Sequence, residues 1–224
     1  MQKAAFFDVD NTLVDGFLLI DFINHLVGKG LFEREQLDYI NNLARLVGSG
    51  QMGYREGAPL CIEAYGKGLK GQRCSDVADS IGELLTMIKL LPGAKELVAF
   101  MNEVGYYTSA ISGSPKSVID MLELGFDDVF ATVEYSENGV FTGAVEQVTR
   151  DKTGVIDRIS AERQICMTES YGFGDSENDT NLLNRVCYPV AINPRPKLRE
   201  MAESNGWHIF DTPQGALDYL SEKL

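Results

Sequence analysis

Residues 4–12 of the sequence read AAFFDVDNT. The first half is a short apolar run, and the second half carries two aspartates and a threonine. An apolar run of this length, followed at once by polar side chains, predicts a short buried strand over residues 4–9. The run is too short for a signal peptide, and acidic charge arrives at Asp8 and Asp10. We therefore expect a strand that presents acidic side chains at its carboxyl end.

The next block, residues 16–90, shows helical spacing of apolar residues and no convincing strand pattern. The spacing is clearest in three sets: Leu37, Ile40, Leu43 and Val47; Ala58, Cys61, Ile62, Tyr65 and Leu69; Val77, Ile81, Leu84, Leu85 and Ile88. With a further helix near residues 17–27, the block contains about four helices, and Pro92-Gly93 closes it. We predict a helical cap domain over residues 16–90, inserted after the first strand.

From residue 94 onward, helix and strand patterns alternate. The later strands are expected at 106–111, 129–135, 140–146, 169–173, 188–192 and 207–210. Alternation of this kind predicts a doubly wound parallel sheet with helices on both faces, a Rossmann-like α/β fold with three layers. Asn138-Gly139 predicts a hairpin turn between two of the strands. The catalytic core would comprise residues 1–15 and 91–224.

Several local features of this core follow from turn and capping residues. Residues 112–115 read as a turn, in which Ser114 can cap a helix that runs to about Leu124. A helix is expected over 151–163, and a short helix over 178–185. These elements place polar side chains at the carboxyl ends of three predicted strands.

Composition excludes several classes of protein. The chain has 224 residues, 44% of them hydrophobic, with a net charge of -13 and a pI of about 4.6. A nucleic-acid partner is not expected, because binding to phosphate backbones requires a basic surface. No stretch is long and apolar enough for a transmembrane helix. The spacing of the four cysteines suits neither zinc nor disulfides, so we expect a cytoplasmic protein. The sequence does not indicate an oligomeric state.

Four aspartates follow the predicted strands at one edge of the sheet. Asp8 and Asp10 follow the first strand, and Asp175 and Asp179 follow a later one. Ligands of such sheets bind outside the carboxyl ends of the strands, so these carboxylates should lie close together. Neighbouring carboxylates repel one another unless a cation or a shared proton compensates. Mg²⁺ fits best, since it accepts oxygen ligands, keeps waters and binds substrate phosphates.

Four short motifs in the chain resemble those of the haloacid dehalogenase superfamily. They are DxDxT at residues 8–12, the strand-end Ser112, Lys152, and GDxxxD at residues 174–179. Lys152 precedes Asp175 by 23 residues, which is the length of one helix and one strand. The helical insert is similar in position to the cap of the phosphoserine-phosphatase-like branch. The resemblance implies a magnesium-dependent phosphatase that hydrolyses a phosphomonoester of a small metabolite.

The resemblance also assigns roles to the acidic residues. Asp8 would be the nucleophile and form an aspartyl-phosphate. Asp10 would protonate the leaving group and then activate the hydrolytic water. The Asp8 carboxylate, the backbone carbonyl of Asp10 and Asp175 would bind Mg²⁺. Asp179 would complete the metal site by orienting bound waters.

Further residues would bind the phosphate by the same resemblance. Ser112 and the amides of Gly113 and Ser114 would hold phosphate oxygens near a helix N-terminus. Lys152 would neutralise both the nucleophile and the transferring group, which is the main catalytic device in phosphoryl transfer. Asn178 is a candidate contact to phosphate or to metal-bound water.

The leaving group is less well defined than the chemistry. Serine-specific relatives carry a glutamate nine positions after the nucleophile, and this chain carries Phe17 there. That difference predicts weak activity on phosphoserine. A phosphotransferase or mutase that uses the same aspartyl-phosphate is the alternative enzyme. A non-catalytic regulator that binds a phosphorylated ligand would be expected to lack Asp8, Asp10 or Lys152, all of which are present.

Overall fold

The computed structural model describes residues 2–147 and 152–224. In these segments, seven strands form one sheet in the order β4-β3-β2-β1-β5-β6-β7. The strands are β1 (Ala4–Phe7), β2 (Tyr107–Pro115), β3 (Asp128–Glu137), β4 (Val140–Glu146), β5 (Tyr171–Gly174), β6 (Tyr188–Ile192) and β7 (His208–Phe210). Every neighbouring pair is parallel except β3 and β4, which form an antiparallel hairpin. The predicted α/β fold is confirmed.

The helices follow the expected alternation with the strands. They are α1 (Leu18–Lys29), α2 (Arg34–Gly48), α3 (Tyr54–Leu69), α4 (Cys74–Leu85), α5 (Ala94–Glu103), α6 (Lys116–Met121), α7 (Lys152–Arg163), α8 (Thr180–Leu183), α9 (Pro196–Asn205) and α10 (Pro213–Ser221). Helices α1 to α4 lie between β1 and α5, in the segment predicted to be a cap. The boundaries of that cap domain stay a prediction. In the described residues, no helix is long and apolar enough to cross a membrane.

The sheet topology places β1 at a switch point. From β1 the chain first adds β2 and β3 on one side, and later adds β5, β6 and β7 on the other. Connections leave β1 toward opposite sides, which opens a crevice outside its carboxyl end. Asp8, the first residue after β1, therefore lies at the edge where such sheets bind ligands.

Strand β1 is buried on both faces of the sheet. Ala5 and Phe7 belong to the largest apolar cluster, and Ala4 and Phe6 belong to a second cluster on the opposite face. The ring of Phe7 stacks on Phe173 of β5, with centroids 4.3 Å apart. A continuous apolar run is what a parallel strand covered by helices on both faces requires. This packing fixes the direction in which Asp8 leaves the sheet.

The β3–β4 hairpin carries the sheet to the helical segment. Its turn uses Asn138 and Gly139, both with positive φ (50° and 78°), as a two-residue hairpin requires. The backbone of the hairpin pairs with the α3–α4 connection: Phe141 donates to Gln72 at 2.9 Å, and Cys74 donates to Gly139 at 2.8 Å. The hairpin is thus a fixed contact between the sheet and the helices that follow β1.

Some local predictions were wrong. Residues 112–115 are not a turn, because β2 continues to Pro115 after a register shift against β3. Ser114 does not cap α6, which ends at Met121, and no side chain caps this helix. Helix α10 was not predicted. Asp151, the expected start of α7, lies outside the described residues.

Candidate active site

Asp8 is fixed at the end of β1 by backbone and side-chain contacts. Its amide donates to the carbonyl of Phe173 at 2.9 Å, so the pairing with β5 continues one residue beyond the strand. The hydroxyl of Thr12 donates to Asp8 Oδ2 at 3.2 Å. Asp8 is buried, with 7% of its surface exposed. Thr12 therefore holds Asp8 Oδ2, and Oδ1 is the oxygen that contacts Lys152.

Lys152 connects Asp8 with Asp179. Its Nζ lies 2.9 Å from Asp8 Oδ1 and 2.8 Å from Asp179 Oδ1, and its side chain is 11% exposed. Burial lowers the pKa of the Lys152 ammonium, but the two carboxylates more than offset this effect and the net pKa is raised. Lys152 therefore stays charged between the two acids. The contact joins the start of α7 to the end of β1, as the sequence pattern predicted.

The loop after β5 folds tightly around Asp179. Asp179 Oδ2 accepts hydrogen bonds from the amide and the hydroxyl of Ser176, both at 3.1 Å, and from the amide of Asp175 at 3.3 Å. Gly174 makes this turn possible, because a Cβ at that position would lie 2.6 Å from the Cβ of Asp179. The glycine of the GDxxxD motif thus brings Asp179 back toward the strand end.

Asp8, Asp175 and Asp179 form one acidic cluster. Each offers a carboxylate oxygen, and these oxygens lie within 4.8 Å of one another. Burial raises the pKa of Asp8 well above its usual range, and the charge of Asp179 adds to the rise. Burial and Asp179 also raise the pKa of Asp175 to about 7, against the opposing charge of Arg195. The three acids are costly to ionise together without further positive charge.

The cluster suits a divalent metal ion by its chemistry. When all three are ionised, Asp8, Asp175 and Asp179 carry three negative charges, and Lys152 and Arg195 supply only two positive charges. Oxygen ligands at this spacing are those that Mg²⁺ and related hard cations prefer. The residues present therefore fit a divalent cation with oxygen ligands.

Asp10 lies in a different environment from this cluster. Its Oδ1 accepts the amide of Leu18 at 2.7 Å, and its Oδ2 accepts the hydroxyls of Ser114 at 2.7 Å and Ser112 at 3.3 Å. Burial raises the pKa of the Asp10 carboxyl, and the hydrogen bond from Ser114 opposes the rise. The side chain of Asp10 is thus occupied by neutral donors, and it is not part of the three-acid cluster.

Ser112 and Gly113 lie at the end of β2, beside Asp10. The hydroxyl of Ser112 is buried and also accepts the amide of Ser114 at 3.1 Å, while the Gly113 carbonyl accepts the hydroxyl of Thr132 at 2.7 Å. The structure therefore brings Ser112 to the edge where Asp8, Asp10 and Lys152 meet. The side chain of Ser114 is a contact that the sequence interpretation missed, since it assigned that hydroxyl to a helix cap.

Asn178 lines a cavity of about 610 Å³ beside Lys152. The start of α3, including Tyr54 and Arg55, also lines this cavity. Phe17 lies elsewhere, at the start of α1, with its ring against the guanidinium of Arg195. The lining of this cavity is mostly polar. Arg195 and Arg55 were not singled out from the sequence, because neither belongs to a recognisable motif.

Comparison with known proteins identifies the family. The family model of haloacid dehalogenase-like hydrolases matches residues 5–184. A phosphoserine phosphatase of Mycobacterium tuberculosis is 28% identical over 224 residues, covering 94% of this chain and 71% of the relative. A histidinol-phosphatase of Neisseria meningitidis is 27% identical over 228 residues, covering 94% of this chain and 99% of that protein.

Solved structures show the same fold. A Bordetella pertussis protein of unknown function superposes with a TM-score of 0.80 at 23% identity, covering 94% of this chain and 99% of the other. A substrate-bound phosphoserine phosphatase superposes with a TM-score of 0.73 at 19% identity, covering 98% of both chains. The family-model match and the phosphatase relatives confirm the predicted family and enzyme class. The chain therefore belongs to the haloacid dehalogenase-like hydrolases, as a phosphatase similar to the phosphoserine phosphatases.

Proposed function

We propose that the chain is a magnesium-dependent phosphatase that hydrolyses a phosphomonoester of a small metabolite through an aspartyl-phosphate on Asp8. The observation that carries the proposal is the contact between Asp8 Oδ1 and Lys152 Nζ at 2.9 Å, next to the acidic cluster. A buried carboxylate beside a charged ammonium can approach an anionic phosphate, because the ammonium offsets the repulsion between them.

Asp8 is suited to nucleophilic attack. The hydroxyl of Thr12 holds Oδ2 at 3.2 Å and so fixes the plane of the carboxylate. In the proposed reaction, a carboxylate oxygen of Asp8 bonds to phosphorus as the bond to the leaving oxygen breaks. Hydrolysis of the resulting acyl phosphate by water then restores the carboxylate.

Asp10 is suited to proton transfer. Its raised pKa favours the protonated form more than in water, and its donors on Oδ2 are hydroxyls, which can reorient when the proton leaves. Asp10 would protonate the leaving oxygen and later take a proton from the water that attacks the intermediate. The amide of Leu18, at 2.7 Å from Oδ1, keeps the carboxyl group in place through both steps.

The remaining polar and charged groups would hold the phosphoryl group and the metal ion. Ser112 and the amide of Gly113 would bind the phosphoryl oxygens from the β2 side, and Lys152 from the β5 side. The amide of Ser114 donates to Ser112 Oγ at 3.1 Å and would bind phosphate once that hydrogen bond opens. Asn178 would bind phosphate or a metal-bound water. Asp8, the backbone carbonyl of Asp10, Asp175 and Asp179 would hold Mg²⁺. When bound, the ion would neutralise charge on the transferring phosphoryl group.

The cavity beside Lys152 would receive the leaving group. Its lining is mostly polar and includes Asn178 together with Tyr54 and Arg55 from α3. The helical segment over residues 16–90 would act as the cap that selects substrates. Two of its relatives are a phosphoserine phosphatase and a histidinol-phosphatase, so phosphoserine and histidinol phosphate are substrates of those proteins. With Phe17 in place of an acidic side chain, weak turnover of phosphoserine is expected here.

The test measures phosphate release from a panel of phosphorylated metabolites, first after EDTA and then with added Mg²⁺. Release is expected only with the metal, and without an added acceptor, because water accepts the phosphoryl group. Full activity in EDTA would exclude the metal requirement, and activity that needs a second acceptor would indicate a phosphotransferase. A value of kcat/KM for phosphoserine far above that of the other esters would contradict the expected role of Phe17.

A further inference from the structure

Arg195 contacts Asp175 through both its backbone and its side chain. It lies between β6 and α9, where its amide donates to the carbonyl of Asp175 at 2.8 Å. Its Nε donates to Asp175 Oδ2 at 3.1 Å. Pro196 follows Arg195 and holds it in an extended conformation, with φ −63° and ψ 157°. Pro196 therefore restricts the backbone of Arg195 in the conformation that makes both contacts to Asp175.

The second partner of Arg195 belongs to α1. The guanidinium carbon lies 5.0 Å from the ring centroid of Phe17, which immediately precedes α1. The next residue, Leu18, donates its amide to Asp10. The start of α1 thus contacts Asp10 directly and reaches Asp175 through the guanidinium of Arg195. Stacking on an aromatic ring restricts the orientation of a guanidinium and favours its charged form.

We propose that Arg195 is a positioning residue, which holds Asp175 in the orientation that binds the metal ion, and that Phe17 keeps its guanidinium in place. The proposal rests on the metal site of the proposed function. The Asp175 side chain is 5% exposed, so its pair with Arg195 is mostly shielded from water on the acidic side. An exposed pair would be weakened by solvent, whereas this pair retains its orienting effect.

Arg199, which lies in α9 four residues after Arg195, provides the matched control. Arg199 bonds Asp211 at 3.2 Å, and its side chain is 43% exposed, the same fraction as that of Arg195. Asp211, however, is 90% exposed. Replacing Arg199 removes the same charge and the same kind of side chain as replacing Arg195. The ion pair that is lost, however, is with Asp211 and not with the acidic cluster.

The experiment measures Mg²⁺ binding by isothermal titration calorimetry in the absence of substrate. Arg195→Gln is expected to weaken binding by roughly 10- to 100-fold, the usual cost of losing a group that orients a metal ligand. Loss of a positive charge alone would have the opposite effect and strengthen the binding of a cation. Arg199→Gln should leave the affinity within about twofold of the native value, as expected for an exposed pair.

Two further variants test the orientation itself. Arg195→Lys keeps the charge and one donor, so it should recover most of the lost affinity. Phe17→Glu places a carboxylate beside the guanidinium, which should draw it from Asp175 and weaken Mg²⁺ binding although the variant adds negative charge. Phe17→Glu also tests the proposal if Arg195→Gln does not fold. With p-nitrophenyl phosphate, saturating Mg²⁺ should restore the kcat of Arg195→Gln, with little change in KM.

The outcomes separate this inference from the proposed function. If the native protein binds no Mg²⁺, the metal site of the proposed function is wrong. If the native protein binds Mg²⁺ and Arg195→Gln binds it equally or more tightly, the positioning role is overturned while the proposed function stands. Unchanged or tighter binding by Phe17→Glu would overturn the part assigned to Phe17.

Discussion

Two sets of carboxylates, one buried and one half-buried, lie on different sides of the crevice and are held in different ways. On the side of β1 and β5, Asp8 and Asp179 contact Lys152, and Asp175 contacts Arg195. On the side of β2 and β3, neutral donors hold the carboxylates. Asp10 accepts two serine hydroxyls and an amide, and Glu134 accepts the hydroxyls of Tyr65 and Ser117.

The difference separates two chemical tasks. The cations beside Asp8 and Asp175 stabilise the ionised carboxylates and so oppose the rise in pKa that burial and mutual repulsion cause, which suits these acids to bind a metal or to attack phosphorus. Carboxylates held by hydroxyls can exchange a proton, since a hydroxyl donates to the ionised form and accepts from the protonated form. Burial raises the pKa of both Asp10 and Glu134. Asp10 is the member of the second set that faces the phosphate site.

The largest expected effect comes from the set held by cations. Asp8→Asn should lower kcat/KM for any phosphomonoester by about 10⁴-fold or more, the usual consequence of removing a nucleophile. The substitution should not lower the melting temperature in EDTA. It removes the carboxylate of Asp8, which repels those of Asp175 and Asp179, and Lys152 retains its ion pair with Asp179. Phosphate release and thermal unfolding measure the two effects. The exposed Asp15 provides the control, and Asp15→Asn should have near-native activity and melting temperature. Turnover by Asp8→Asn would contradict the assignment of Asp8 as the nucleophile.

Asp10→Asn tests the set held by hydroxyls. It should lower kcat/KM by about 10²- to 10⁴-fold for an alkyl phosphate, because the leaving alkoxide needs a proton. The loss should be much smaller for p-nitrophenyl phosphate, whose leaving group is stable as an anion. The asparagine oxygen can still accept the amide of Leu18, so the local fold should persist. Equal losses on both esters would show that Asp10 acts through structure or metal binding and not as an acid.

Ser114→Ala tests which hydroxyl supports Asp10. The 2.7 Å contact of Ser114 is shorter than the 3.3 Å contact of Ser112. Losing a hydrogen bond to a charged group costs about 1.5 kcal/mol, so kcat for an alkyl phosphate should fall roughly tenfold. KM should stay near native. Ser112→Ala should instead raise KM, because Ser112 is expected to bind phosphate. Steady-state kinetics measure both effects. A higher KM for Ser114→Ala and a lower kcat for Ser112→Ala would assign phosphate binding to Ser114 and support of Asp10 to Ser112.

The sequence predicts the set held by cations better than the set held by hydroxyls. Asp8, Lys152 and Asp175 follow from strand ends and motif spacing, because the sheet brings these ends to one edge. Ser114 was misassigned, since its local pattern fits a helix cap equally well and only the extension of β2 turns its hydroxyl toward Asp10. Arg195 also escaped prediction, because its contact depends on how a loop between β6 and α9 packs against β5.

The contact between Tyr65 and Glu134 shows the same hydroxyl support away from the phosphate. Tyr65 is buried on α3 and donates to Glu134 Oε1 of β3 at 2.7 Å. Tyr65→Phe leaves the half-buried carboxylate with fewer donors, which should lower the free energy of unfolding by about 1–2 kcal/mol at neutral pH. Activity at low temperature should be close to native, because neither residue contacts the phosphate site. Urea unfolding and phosphate release measure these effects.

The pH dependence of this loss identifies Glu134 as its cause. Burial raises the pKa of Glu134 in the folded protein, and the Tyr65 hydrogen bond lowers it. The ionised carboxylate therefore destabilises the fold above the folded pKa, and this penalty disappears below the unfolded value of 4.5. Tyr65→Phe enlarges the penalty, so the difference from native should be larger at pH 7.5 than at pH 4. Glu134→Gln should remove the pH dependence, since its amide oxygen can accept from Tyr65 without titrating. An equal loss at both pH values would assign the effect of Tyr65→Phe to packing rather than to the carboxylate.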